Sequence, residues 1–205
     1  RAAGLVWSRR NYVADGCSFN PIDEGQRGGL TGFGVKVVKR MEELNMLIDV
    51  SHLNDEGFRD VVKFTQKPFI ASHSNSRTLH GRTRNLTDEQ IKAIADRNGV
   101  IGINAYKSIA GVKEGESPIS RLADHIEYMV NLVGAKHVGY GFDLCNNFYN
   151  SELKFKFEPH NSDSLSSHAE AVLLTEELLR RGISREDCKL IIGGNFFKVF
   201  SDILV

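Results

Sequence analysis

At 205 residues, with 41% hydrophobic and 25% charged side chains, the chain has the composition of one sizeable globular domain, and disorder throughout is excluded. Twenty-six basic residues balance twenty-six acidic ones, so no net field gathers phosphates and a nucleic-acid partner is not expected. Three cysteines, Cys17, Cys145 and Cys188, are an odd number without paired spacing, which fits free thiols in a reducing compartment and a cytoplasmic location.

The first residues, Ala3-Gly4-Leu5-Val6-Trp7, read as a strand with no lead-in, and Arg1 is not an initiator methionine, so further polypeptide is expected upstream. No run reaches the ~18 apolar residues that a membrane span requires. A helix follows over 31–45, with Val35, Val38, Met41 and Leu44 on one face, and then the strand Leu47-Ile48-Asp49-Val50. The helix over 54–66, which Asn54 can cap, presents Phe58, Val61, Val62 and Thr65 and leads into Phe69-Ile70-Ala71-Ser72. Thr87 followed by Gln90 is a capping box for a helix at about 88–98, and the strand Val100-Ile101-Gly102-Ile103-Asn104 comes next. A helix over 119–134 precedes Val138-Gly139-Tyr140-Gly141-Phe142, and helices near 169–182 and 185–203, the second capped by Ser184, close the chain. Repeated strand–helix units make a parallel sheet covered by helices, either doubly wound or closed into a barrel. No glycine-rich phosphate fingerprint follows the first strand, which weakens a dinucleotide-binding reading. The polar stretch from Leu144 to His168 reads either as an active-site lid or as a surface loop.

Three side chains able to bind a metal follow three predicted strands directly: His52, His73 and Asp143. In a barrel of this kind the carboxyl ends of the strands line one rim, where chemistry is done. Counting back by two puts Val50 and Ile48, Ala71 and Phe69, and Gly141 and Gly139 on the interior face. Neutral imidazoles and a carboxylate are ligands that zinc accepts at roughly 2.0–2.2 Å. His80, His125, His137, His160 and His168 do not share the pattern, and His125 and His137 read as structural.

Ile48-Asp49-Val50-Ser51-His52, Ala71-Ser72-His73-Ser74-Asn75-Ser76-Arg77 and Arg84-Asn85-Leu86-Thr87-Asp88 resemble the paired-histidine region of the membrane dipeptidase (renal dipeptidase) family. His137 to Asp143 is similar to that family's last-strand segment and Gly193 to Phe200 to its terminal helix; Ala14-Asp15-Gly16 and Leu30 to Gly34 extend the match along the chain. The resemblance implies an α/β fold of the (β/α)8 TIM-barrel type, with residues 1–205 a single domain that holds only about the last five β/α units. It also implies a metallodipeptidase with two zinc ions, His52 and His73 serving one metal and Asp143 the other while relaying a proton to the departing amine. Two metals roughly 3.5–4 Å apart activate a bridging water. Arg84 would receive the carboxylate of a dipeptide substrate and Tyr106 would line its pocket. Read without the resemblance, Arg84 is a surface arginine and Tyr106 a core or rim aromatic.

The family's His-x-Asp and bridging Glu belong to strands that would lie before Arg1, and two histidines alone are a poor zinc site. Open sheet edges then invite a missing N-terminal half of the barrel, a second chain or another copy in a homo-oligomer. Two departures stand out: Ser8 aligns where the renal enzyme has a histidine, and Cys145-Asn146 follow Asp143 where an aspartate and a glycine are usual. A related amide or lactone hydrolase and a non-catalytic pseudoenzyme remain as alternatives.

Overall fold

In the computed structural model, which describes residues 1–17, 28–146 and 162–204, the short apolar runs form a mixed α/β fold. Strand β1 (Ala2–Gly4) pairs in parallel with β2 (Leu47–Asp49), and β3 (Ile101–Ile103) pairs in parallel with β4 (Val138–Tyr140). Between the two pairs the expected strand at 69–72 is reduced to two parallel bridges, Asp49 to Ile70 and Ala71 to Ile101. Its ladder is cut short by a side chain, because the Ser72 backbone N–H donates to Asp49 Oδ1 at 2.9 Å instead of to a strand carbonyl. Sequence order and spatial order therefore coincide across five extended segments.

The connecting helices start where their caps dictate. Thr31 caps α1 (Gly32–Glu43), Asn54 caps α2 (Asp55–Phe64), and Thr87 with Gln90 forms the complete capping box of α3 (Asp88–Asp96). After the single turn α4 (Lys107–Ala110), Ser117 and Pro118 open α5 (Pro118–Val133), and α6 (Ala171–Arg180) packs beside it. The expected final helix over 185–203 is divided into α7 (Arg185–Lys189), a π-helical turn at Leu190–Gly194 and α8 (Asn195–Leu204). The turn ends on Gly193-Gly194, two poor helix formers. No helix of the described residues is long and apolar enough to cross a membrane.

The bridges fix which face of each strand meets what. Ile48, Val50, Phe69, Ala71, Ile101, Ile103 and Val138 are buried in one cluster with Val38, Phe58, Ile91, Ile94, Ile126 and Leu174 from the helices. Leu47, Ile70 and Val100 face the other way, with Val199 and Ile203 of α8. The interior-face count from the sequence is thus corrected for two of the three strands: Ile48, Val50, Phe69 and Ala71 pack on helices. Both histidines lie past the last regular strand residue, where turning of the backbone breaks the two-residue alternation.

His125 is structural, as expected. It is fully buried in α5, and its Nδ1 accepts from the Ser76 N–H at 3.2 Å while Nε2–H donates to the Ala110 carbonyl at 2.9 Å. Burial, above all, lowers its pKa to about 4. The unfolded chain, at about 6.5, then binds the proton more tightly than the fold does, so stability falls as pH drops from 6.5 through 4, by about 3 kcal/mol for this group. Urea midpoints compared at pH 7 and pH 4 should fall accordingly in the wild type and less in H125Q. An equal fall in both rejects His125 as a source of the acid sensitivity.

Candidate metal centre

Four non-glycine residues have positive φ among those described: Asn45 (52°), His52 (73°), Asn98 (54°) and Asp143 (56°). The two asparagines follow the C-caps of α1 and α3, an ordinary place for that conformation. His52 and Asp143 have no such excuse. Each sits just beyond a strand, in a backbone state that costs a histidine or aspartate of order 1 kcal/mol, and such strain gathers at functional sites.

The distortion brings side chains together. His52 Nε2 lies 2.9 Å from His73 Nε2 in a hydrogen bond, and His73 Nε2 lies 3.9 Å from Asp143 Oδ2. Burial chiefly, then the nearby Arg84 guanidinium, then His73 pull the His52 pKa down to about 2. His73 is lowered too, by burial and then Arg84, while Asp143 and Asp49 pull the other way. Both rings are therefore neutral, the form in which imidazole is a ligand.

A cleft of about 660 Å³ opens over this cluster, lined by His52, His73, Asp143 and Tyr106 together with Trp7, Asp49, Ser51, Arg82, Ser108 and Cys145. His73 and Asp143 also border a second hollow of about 520 Å³ beside Gly141 and His168, so they are reached from two sides. Arg84 is not brought to either. It is 3% exposed and lies behind His73, donating from one terminal nitrogen to Ser74 Oγ and from the other to the His73 carbonyl, both at 2.7 Å, while its buried Nε has no hydrogen-bond partner among the described residues. Read from the bare sequence as a surface arginine, it is instead a buried fixed charge.

As they stand, no three His, Cys, Asp or Glu side chains among the described residues are arranged to hold a metal ion. The His52–His73 contact shows why. Ligands on a tetrahedral zinc with ~2.0 Å bonds stand roughly 3.3 Å apart, so the imidazoles would have to part by about 0.4 Å from hydrogen-bonding distance. That is a small displacement, and two neutral imidazoles with a nearby carboxylate are a donor set that suits zinc.

Several site residues were not singled out from the sequence. Asp49 accepts from the backbone N–H groups of Ser51 and Ser72, both at 2.9 Å, and from the Ser72 hydroxyl. A carboxylate inside an apolar run was the available signal. Arg82, exposed on the loop before Arg84, and Trp7, 70% exposed with its ring 6.1 Å from that of His52, carried none. Ser8 is buried, and its hydroxyl has no hydrogen-bond partner among the described residues. The expected lid lies mostly on residues 147–161, outside the described residues, as does His160. Its described base is pinned where the backbone N–H groups of Cys145 and Asn146 donate to Asp163 Oδ2 at 2.8 and 2.7 Å.

Comparison with known proteins adds family to geometry. The model of the family described as membrane dipeptidase (peptidase family M19) matches residues 1–204. A Klebsiella pneumoniae protein described as uncharacterized, of the pqqA 5' region, is 35% identical over 148 residues, covering 70% of this chain and 55% of that protein. Dipeptidase aclJ of Aspergillus oryzae is 29% identical over 204 residues, 99% of this chain and 45% of its own length. Among solved structures, a metallopeptidase from Rhodobacter sphaeroides, liganded with a phosphinate mimic of the dipeptide L-Ala-D-Ala, superposes with a TM-score of 0.79 at 26% identity, covering 98% of this chain and 55% of that one. The chain thus spans about half the length of the curated relatives it matches.

Proposed function

This chain belongs to the membrane dipeptidase family, peptidase family M19, and from that premise we propose that it is the C-terminal portion of a (β/α)8-barrel metallodipeptidase that hydrolyses dipeptides with two zinc ions. The observation that carries the reading is the meeting of His52 Nε2, His73 Nε2 and Asp143 from three separate strand ends at the floor of one cleft. Bound zinc would supply a water of lowered pKa and polarise the scissile carbonyl. His52 and His73 would hold one metal through Nε2. Asp143 would serve the other and carry a proton toward the departing amine. The remaining ligands come from a segment that completes the barrel, whether upstream polypeptide or a second chain. The Rhodobacter structure, with its phosphinate dipeptide mimic, supports a dipeptide as the substrate class.

Arg84 and Tyr106 complete the substrate site in this reading. Tyr106 lines the cleft, where its ring can face a substrate side chain. Arg84 receives the substrate carboxylate once its hold on Ser74 and the His73 carbonyl loosens, with Arg82 at the rim of the same loop. In the zinc-loaded intact protein, R84A should raise KM for free-carboxylate dipeptides by roughly tenfold or more beyond its effect on amidated dipeptides, while R82A has the smaller effect. If R82A alone shows that selectivity, the carboxylate binds at the rim. No hydrolysis of any dipeptide by the zinc-loaded protein rejects the function.

A further inference from the structure

We propose that Asp49 and Ser72 form a carboxylate–hydroxyl relay that fixes the tautomer of His73, keeping its Nε2 unprotonated before any metal arrives. The inference rests on the reading of His73 as a ligand, but its geometry stands apart from it. Asp49, already accepting two backbone N–H groups on Oδ1, faces the Ser72 hydroxyl with Oδ2. A carboxylate in that role has no proton to give, so Ser72 O–H donates to it. The hydroxyl has only one hydrogen. Its contact with His73 Nδ1, at 2.6 Å, must then be made by a lone pair, and the proton of that hydrogen bond belongs to Nδ1.

One further proton is placed by the same logic. The Nε2-to-Nε2 hydrogen bond between His52 and His73 needs a single hydrogen, and with His73 protonated on Nδ1 it sits on His52 Nε2. His73 is thus set in its ligand form by the fold, whereas His52 must first move a proton to Nδ1. The surroundings lock the arrangement, because the His73 backbone N–H donates to Ser51 Oγ at 3.1 Å and Arg84 holds the His73 carbonyl. Asp49 and Ser72 are positioning residues, acting through His73 as outer partners of metal-ligating histidines do.

Nitrogen-resolved NMR of the imidazoles tests this in the intact protein without metal, with the His73 signals identified by their loss in H73Q. The wild type should show His73 protonated on Nδ1 and bare on Nε2. S72A should mix the tautomers and weaken zinc binding, measured with zinc alone, by roughly 10- to 100-fold, with circular dichroism unchanged. S72T, which restores a hydroxyl, should recover the wild-type pattern. A wild-type His73 protonated on Nε2, or an S72A spectrum identical to wild type, overturns the relay. The wild-type spectrum decides even where S72A fails to fold. Failure of the wild type to bind zinc, with His73 still protonated on Nδ1, counts against the proposed function and leaves the relay standing.

Discussion

Replacing His73 by alanine is expected to remove zinc from the intact protein and to lower kcat/KM for dipeptides by roughly three orders of magnitude or more, about 4 kcal/mol of transition-state stabilisation. His52→Ala should do the same. Catalytic zinc normally has three protein ligands, and in the proposed site these two imidazoles are the ones that this chain would offer to one metal. The fold should survive, because His73 is partly exposed at the cleft floor and its neighbours Ser51, Ser72 and Asp49 retain bonds among themselves. Metal content by mass spectrometry, circular dichroism and dipeptide turnover read the three quantities separately. Full activity in either variant would refute the ligand assignment.

Gly141→Ala is expected to cost more stability than any single side-chain truncation at the cleft, on the order of 3 kcal/mol or more. A Cβ on Gly141 would lie inside the contact distance of the Ser72 carbonyl oxygen and 2.9 Å from Gly102 Cα. Gly102 is in the same position, its Cβ meeting the Ser72 carbonyl and standing 3.0 Å from Gly141 Cα. Backbone is met in each case, and backbone cannot swing aside as a long side chain can. These two glycines let the segment carrying Ser72 and His73 curl toward the one carrying Asp143, with β3 between them. A lowered urea midpoint together with lost zinc binding in G141A is the expected pair of results. A variant with wild-type midpoint and zinc affinity would show that this close approach does not govern the site.

The sequence made the strand–helix rhythm legible because apolar spacing and caps are local: Thr87 and Gln90 sit three residues apart, and Asn54 stands directly before its helix. The positions of His52, His73 and Asp143 after apolar runs were legible for the same reason. Which way strand residues faced was not. Parity counting assumes an unbroken pleat, and φ of 73° at His52 together with the bend after Ala71 breaks it. The Asp49–Ser72–His73 chain was hidden because its members come from two segments 23 residues apart. The bare-sequence reading of Arg84 as a surface arginine fails because a guanidinium's depth depends on what packs over it, which no local pattern records.

The left-handed backbone at His52 and Asp143 has a consequence for how this protein tolerates change. Glycine adopts that conformation without penalty, so at these two places the side chain that suits the backbone and the side chain that suits the cleft are different ones. In the proposed metal site, glycine at either position would exchange a ligand for a relaxed backbone. Histidine and aspartate there are evidence of a demand other than durability.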